Sequence, residues 1–234
     1  MAEYLMTNHQ VCGKLLHVAE NLKTLYVMGG IGYPLNRRGK ERSKSHAYNN
    51  SITRRYMIEQ ADAETFAFDC VCLIKSVVYW GFNGNKDAVY GGAKYASNGM
   101  PDCNIDTLFK MGSKHSTDMK DIAEGEFLRL HSHHCGVYVG NGMVVEATPA
   151  WDNKVQVTKM SARPWKQHCY LPFIKYEVPE QETFYPFPDK TDVELAYLVI
   201  HGALGNGQVR KDALGIRYRE VQDIVNRIAK GGRP

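Results

Sequence analysis

A chain of 234 residues that is 44% hydrophobic, 11% aromatic and 23% charged has the composition of a folded globular protein, which excludes disordered, collagenous and coiled-coil classes. Its formal charge of +4 is too small to argue for nucleic acid, and no apolar run reaches the roughly 18 residues that a membrane span needs. The start, MAEYLMTNHQVCGKLL, has no basic end leading into an apolar stretch, so we expect a chain without a signal peptide, made in a cytoplasm, whose six cysteines stay free thiols.

Taken in order, Thr7 with Gln10 makes a capping box, and Val11, Leu15, Val18 and Leu22 follow at helical spacing. LYVMGG, residues 25–30, reads as a short extended piece ending in a glycine turn. Residues 34–62 are polar and basic, predicting loop plus a helix over Ile52–Gln60. From Asp69 the run CVCLIKSVVYW predicts a buried helix closed by Gly81. Residues 82–120, rich in Gly, Asn and Asp, read as mostly loop. Over 126–160 the character changes to strands, EFLRL, HCGVYV, MVVEAT and VQVTK, with Gly140-Asn141-Gly142 as a hairpin signal. Helices first and an antiparallel sheet after is an α+β order.

Near residue 180 the composition shifts. Three prolines in EVPEQETFYPFPDK mark a linker, dividing the chain into 1–178, a linker over 179–190, and 191–234. The last part opens on a capping box, Thr191 with Glu194, followed by Ala196, Val199, Ile200 and Ala203 at helical spacing. Gly205-Asn206-Gly207 breaks that helix, QVRKDAL forms a second ended at Gly215, and Tyr218, Val221, Val225 and Ile228 line a third. Three helices in about 40 residues lie near the lower limit of independent stability.

Reactive side chains concentrate in FDCVCLIK and in HSHHCGVYVGNGMVVEA. A cysteine attacks as its thiolate, which the start of a helix favours, and a neighbouring histidine takes the proton. Cys70 stands at the predicted helix start after Asp69, and Cys72 is a second candidate. C-x-C and H-x-H-H lack the spacings of closed zinc sites, so no metal is expected. Hairpin register sorts the histidines. With a three-residue loop over 140–142, Val139 faces Met143, and His134, Gly136 and Tyr138 share a face with Val144, Glu146 and Thr148. The opposite face, Cys135, Val137, Val139, Met143, Val145 and Ala147, is then almost wholly apolar, and a one-residue slip would mix the two. On this register His134 and Glu146 project together, as a base and its orienter would.

From about Tyr4 to Tyr170 the chain resembles NlpC-type and related CHAP peptidases, papain-like cysteine hydrolases that cut peptidoglycan. FDCVCLIK is similar to their nucleophile motif, HCGVYVGNGMVVEA to their histidine segment, and LYVMGG to an upstream tyrosine-plus-glycines motif. The resemblance implies a papain-like α+β fold, Cys70 as nucleophile, His134 as base, Glu146 at the third polar position and Tyr26 on the oxyanion side, with no cofactor. The chain departs from the pattern at Cys72, where a small glycine is usual, at Glu146, more often histidine, and at Met28, which replaces a common aromatic.

ELAYLVIHGALGNGQVRKDALGIRYREVQDIVNRI resembles a short cell-wall-binding repeat found at the end of some phage lysozymes and endolysins. That resemblance implies muropeptide binding, with Gly205, Asn206 and Gly207 offering backbone N–H groups to a carboxylate and Arg210 gripping it. Residues 190–234 hold eight Lys and Arg against five Asp and Glu, most of the chain's excess charge. Together the resemblances imply an endolysin that cleaves an amide in the wall stem peptide by Cys-His-Glu catalysis. Its partner would be peptidoglycan, stem peptide and glycan, not nucleic acid or membrane, and it would act on the wall after release. The alternatives are an N-acetylmuramoyl-L-alanine amidase on the same site, and a non-hydrolytic wall-binding module or acyltransferase.

Overall fold

The capping box at Thr7 forms as the sequence expects. In the computed structural model, which describes residues 4–177, 187 and 189–233, Gln10 N–H donates to the Thr7 hydroxyl at 3.3 Å and Thr7 N–H to the Gln10 side chain at 2.9 Å. Strand β1 (Met6–Thr7) leads directly into α1 (Asn8–Asn21), which buries Val11, Leu15 and Val18. Strands β2 (Thr24–Tyr26), β3 (Ile31–Pro34) and β4 (Phe66–Phe68) form a small sheet in the order β2-β4-β3. Between β3 and β4 lie α2 (Arg37–Ser43) and α3 (Ile52–Gln60), the latter with the predicted bounds. Strands β3 and β4 and helix α2 lie beyond the sequence reading. Every position of both strands is buried, so they carry no alternation to detect.

Helix α4 (Cys70–Ile74) is capped by Asp69, whose carboxylate accepts from Cys72 N–H at 2.7 Å. It runs on through a π-helical turn, Lys75–Tyr79, in which Trp80 N–H reaches back five residues to Lys75 C=O. Gly81, at φ 75°, then ends it as expected. The widened turn points Lys75 inward, where it is 1% exposed. Its ammonium binds the Asp102 carboxylate, donates to Cys103 C=O at 2.7 Å and stands 5.4 Å from the Trp80 ring. Trp80 Nε1 donates to Met100 C=O at 2.8 Å, Lys94 N–H to Trp80 C=O at 2.6 Å, and Asn98 to Tyr79 C=O at 2.6 Å. The glycine-rich segment 82–104 is thus pinned from inside. The expectation of loop up to residue 120 is corrected by α5 (Ile105–Met111) and β5 (Ser113–Ser116). Asn104 starts α5 by accepting from Thr107 N–H at 2.9 Å, a cap hidden among other turn-forming residues.

The larger sheet is antiparallel throughout. It comprises β5, β6 (Phe127–Leu130), β7 (His134–Tyr138), β8 (Met143–Ala147), β9 (Val155–Lys159) and β10 (Gln167–Tyr170), in the order β5-β10-β6-β7-β8-β9. Strand β11 (Ile174–Lys175) pairs in parallel with β1. Val137 pairs with Val145 and Tyr138 with Val144, and Val139 N–H donates to Met143 C=O at 2.9 Å, the register of the three-residue loop. One face of the sheet carries Cys135, Val137, Val145 and Ala147 into the main core beside α1 and α4 residues. The other holds a small apolar cluster, Leu128, Val144 and Trp165. Helices before an antiparallel sheet make the fold α+β.

Gly136 lets β7 and β8 lie flush beside His134 and Glu146, since a Cβ there would stand 2.7 Å from Val144 Cγ1 and 3.0 Å from Val145 C=O. We expect Gly136→Ala to destabilise the fold by about 1–3 kcal/mol through overpacking, read as a lowered urea midpoint.

The chain divides into two compact units, Met1–Glu177 and Val178–Pro234; the linker expected over 179–190 lies mostly outside the described residues. In the second unit, α6 (Asp192–Ile200), α7 (Gln208–Leu214) and α8 (Tyr218–Ala229) follow the predicted order. They surround their own core of Leu195, Ala196, Val199, Leu214 and Val221. The Thr191–Glu194 capping box is formed. Among the described residues no helix is long and apolar enough to cross a membrane.

Candidate active site

Three elements meet at Cys70: the start of α4, the start of β7 and the end of β2. Cys70 is the first residue of its helix, so its N–H has no intrahelical partner and the helix dipole favours a thiolate there. Asp69 fixes that start, taking Cys72 N–H on one oxygen and Gly29 N–H at 2.9 Å on the other. Cys70 is 7% exposed and His134 9%.

The Cys70 sulfur lies beside the Cys135 thiol and main-chain N–H and the His134 ring, all of which favour its charged form. The neighbouring Cys135 thiol first, then His134, hold the Cys70 thiol well below its ordinary range against the opposing effect of burial. Cys135, fully buried, is pushed well above that range by burial and then by the neighbouring Cys70 sulfur, so it stays a thiol. His134 Nε2 bonds Glu146 Oε2, which leaves Nδ1 for the sulfur. Burial favours the neutral ring, but the neighbouring Cys70 sulfur and the bonded Glu146 outweigh it and raise the His134 pKa above its ordinary value. Glu146, with no exposed surface, is held below the usual carboxylate range. Burial alone would raise it; the bonds from His134 and Thr158 and the charge of Arg163 prevail.

Tyr26 ends β2, 5% exposed. Burial above all, then the nearby Cys70 sulfur, keep its phenol protonated and able to donate. Arg54 braces it from behind, donating to Tyr26 C=O and to Asn153, while Tyr26 N–H donates to Asn153 C=O at 2.9 Å. All four residues expected in the first unit, Cys70, His134, Glu146 and Tyr26, therefore fall at one place.

Sequence reading missed four neighbours. Thr158 donates to Glu146 Oε1 at 2.6 Å, Arg163 Nε to Glu146 Oε2 at 2.7 Å, and the Trp165 ring stacks on His134 with centroids 5.8 Å apart. The Cys135 thiol, assigned to the apolar face, reaches Cys70. One signal was available: a buried carboxylate beside a histidine needs a cation, and Arg163 lies four residues beyond β9.

In the second unit Arg210 turns inward. Nε donates to Gly205 C=O at 3.1 Å, Nη2 to Asn206 Oδ1 at 2.7 Å and Nη1 to Gln222 Oε1 at 3.0 Å. It ties the turn 205–207, with Gly205 at φ 66° and Gly207 at φ 57°, to α8. Gly205, Asn206 and Arg210 are thus brought together by direct bonds, with Gly207 beside them in the turn.

The profile of the NlpC/P60 family matches residues 54–172, and that of the CW_7 repeat matches 193–229. The NlpC/P60 match takes in Cys70, His134 and Glu146, with Tyr26 ahead of it. Similar solved structures include NlpC1 and NlpC2 from Trichomonas vaginalis, at 15% and 16% identity and a TM-score of 0.39 each, over 71% and 72% of this chain. The chain spans 44% and 46% of those two proteins. The P60 domain of an antigen from M. avium subspecies paratuberculosis is similar at 17% identity and a TM-score of 0.43, over 72% of this chain and 98% of that one. No curated protein matches the chain. With half of its length under the profile, the chain belongs to the NlpC/P60 family.

Proposed function

We propose that this is an endolysin-type peptidoglycan hydrolase of papain-like design that cleaves an amide bond in the wall stem peptide, its second unit tethering it to the wall. The observation that carries the reading is Cys70 at a helix start beside His134, whose ring is bonded to Glu146. The Cys70 thiolate attacks the amide carbonyl carbon, and the oxygen that becomes negative meets the Cys70 N–H and the Tyr26 hydroxyl, each donor worth about 3 kcal/mol. His134 Nδ1 passes its proton to the departing amine, leaving a thioester on Cys70. Water, giving a proton back to His134, then hydrolyses the thioester and frees the acid. Glu146 holds the ring through Nε2 in both steps.

The CW_7 repeat match supports wall binding by the second unit, with Gly205, Asn206 and Gly207 as its contact turn and Arg210 as the residue that shapes it. The reading places synthesis in a host cytoplasm and action on the wall after release. Mass spectrometry of digested walls tests it: a new amine and a new carboxyl within the stem peptide are expected. A free amine on L-alanine with an intact lactyl group would make it a muramoyl–alanine amidase, and unchanged walls would leave only the non-hydrolytic alternative. We further expect the full chain to pellet with purified walls and residues 1–177 not to, while both cleave soluble muropeptides. Arg210→Ala should weaken pelleting by about 1–3 kcal/mol, the worth of a charged hydrogen bond. Equal pelleting of both chains would remove the tether.

A further inference from the structure

Glu146 is wholly buried, and a carboxylate so placed needs compensation. Its Oε2 is shared between His134 Nε2 and Arg163 Nε, the latter at 2.7 Å. Arg163 comes from the segment after β9, gives Nη2 to the buried Thr148 hydroxyl at 2.8 Å, and lies over the exposed Trp151 ring at 4.7 Å. It therefore grips both polar residues that share the His134 face at the end of β8.

A thiolate on Cys70, an imidazolium on His134 and a carboxylate on Glu146 sum to one negative charge, and Arg163 brings the group to zero. No other cation is bonded to Glu146 or His134 among the described residues. Asp69 beside Cys70 is an acid, pushed up to about 6 by burial and the Cys70 sulfur; Tyr26, Cys72 and Cys135 are neutral or negative. Arg54 stands behind Tyr26 and Lys75 is paired with Asp102.

Resting on the hydrolase reading, we propose that Arg163 is a positioning residue of the reaction, clamping Glu146 through Nε and Thr148 through Nη2 and neutralising the Cys70–His134–Glu146 group. A positive charge removed from beside coupled acids favours the protonated form of each, so their pH window must move upward as a whole. A role in packing alone would lower the amplitude of activity and leave the window in place.

The test follows alkylation of Cys70 by iodoacetamide against pH, with the modified peptide identified by mass spectrometry, in the full chain and its Arg163→Gln and Arg163→Lys variants. In Arg163→Gln the midpoint of thiolate formation should rise by about one pH unit, and the basic limb of wall hydrolysis should rise with it. Arg163→Lys keeps the charge and loses the fork, so its midpoint should match the wild type while kcat falls several-fold. A folded Arg163→Gln with an unmoved midpoint overturns the proposal, and so does an Arg163→Lys midpoint displaced from the wild-type value, which keeps the test open should the glutamine variant fail to fold. Alkylation needs no substrate: a wild-type chain that leaves walls intact refutes the hydrolase reading, whereas an unshifted profile in a chain that cleaves them refutes Arg163 alone.

Discussion

Cys70→Ala should lower kcat/KM for wall cleavage by about 10⁴-fold or more, since removing a nucleophile leaves only binding and the oxyanion donors. Cys72→Ala should stay within a few-fold of wild type. The two cysteines are two residues apart and equally buried, yet their surroundings drive them in opposite directions. Cys70 is held low by the Cys135 thiol and by His134, whereas burial, with the Asp69 charge, pushes Cys72 well above its ordinary range. What the site takes from Cys72 is its backbone N–H, which caps onto Asp69 at 2.7 Å and which alanine retains. Single-turnover assays on both variants, with circular dichroism as a folding control, decide the matter. An inert Cys72→Ala beside an active Cys70→Ala would reverse the assignment.

Glu146→Ala should cost about 10²–10⁴-fold in kcat/KM, the scale seen when a catalytic imidazole loses its orienting carboxylate. Glu146→Gln should cost less, because its amide oxygen still accepts from Nε2. The stability effect follows from linkage. The folded-state pKa of Glu146 is depressed, so its contribution is present above the unfolded carboxylate value near 4.5 and is lost as pH falls through the folded value. His134 is raised, so its contribution is complete below about 6.5 and is lost as pH rises through the folded value. The pair thus supports the fold most between those limits. Glu146→Ala, which strands Arg163 as well, should destabilise by about 3–5 kcal/mol and flatten the dependence of the urea midpoint on pH. Midpoints at pH 3.5, 6 and 9 for wild type and both variants measure this, and equal slopes would deny the pair.

The parts legible in the sequence are those where one local rule suffices. A capping box fixes each of the helices that begin after Thr7 and Thr191, and a clean split of apolar from polar residues fixes the β7–β8 register, which brings His134 and Glu146 together. What escaped depends on tertiary partners. Phe66, Ala67 and Phe68 form a central strand only because β2 and β3 flank them. Cys135 lies on the apolar face that the alternation predicts, but alternation along a strand does not reveal that its sulfur, near the start of the strand, lies beside a helix start. Arg163 and Trp165 lie in an irregular segment with no period, where only the need of Glu146 for a cation points to them.

Lys75 gives the nucleophile helix a second office. Because its ammonium is sunk beneath the 82–104 segment and held by Asp102 and Cys103, lifting that segment would leave a bare cation against Trp80 and Cys72. Trp80 and Asn98 fasten the same two pieces through hydrogen bonds of their own. We therefore expect the glycine-rich surface and the helix behind Cys70 to open as one cooperative unit, with hydrogen exchange of their amides at a common rate. A segment whose composition reads as slack is thereby made as durable as the element that carries the reacting sulfur.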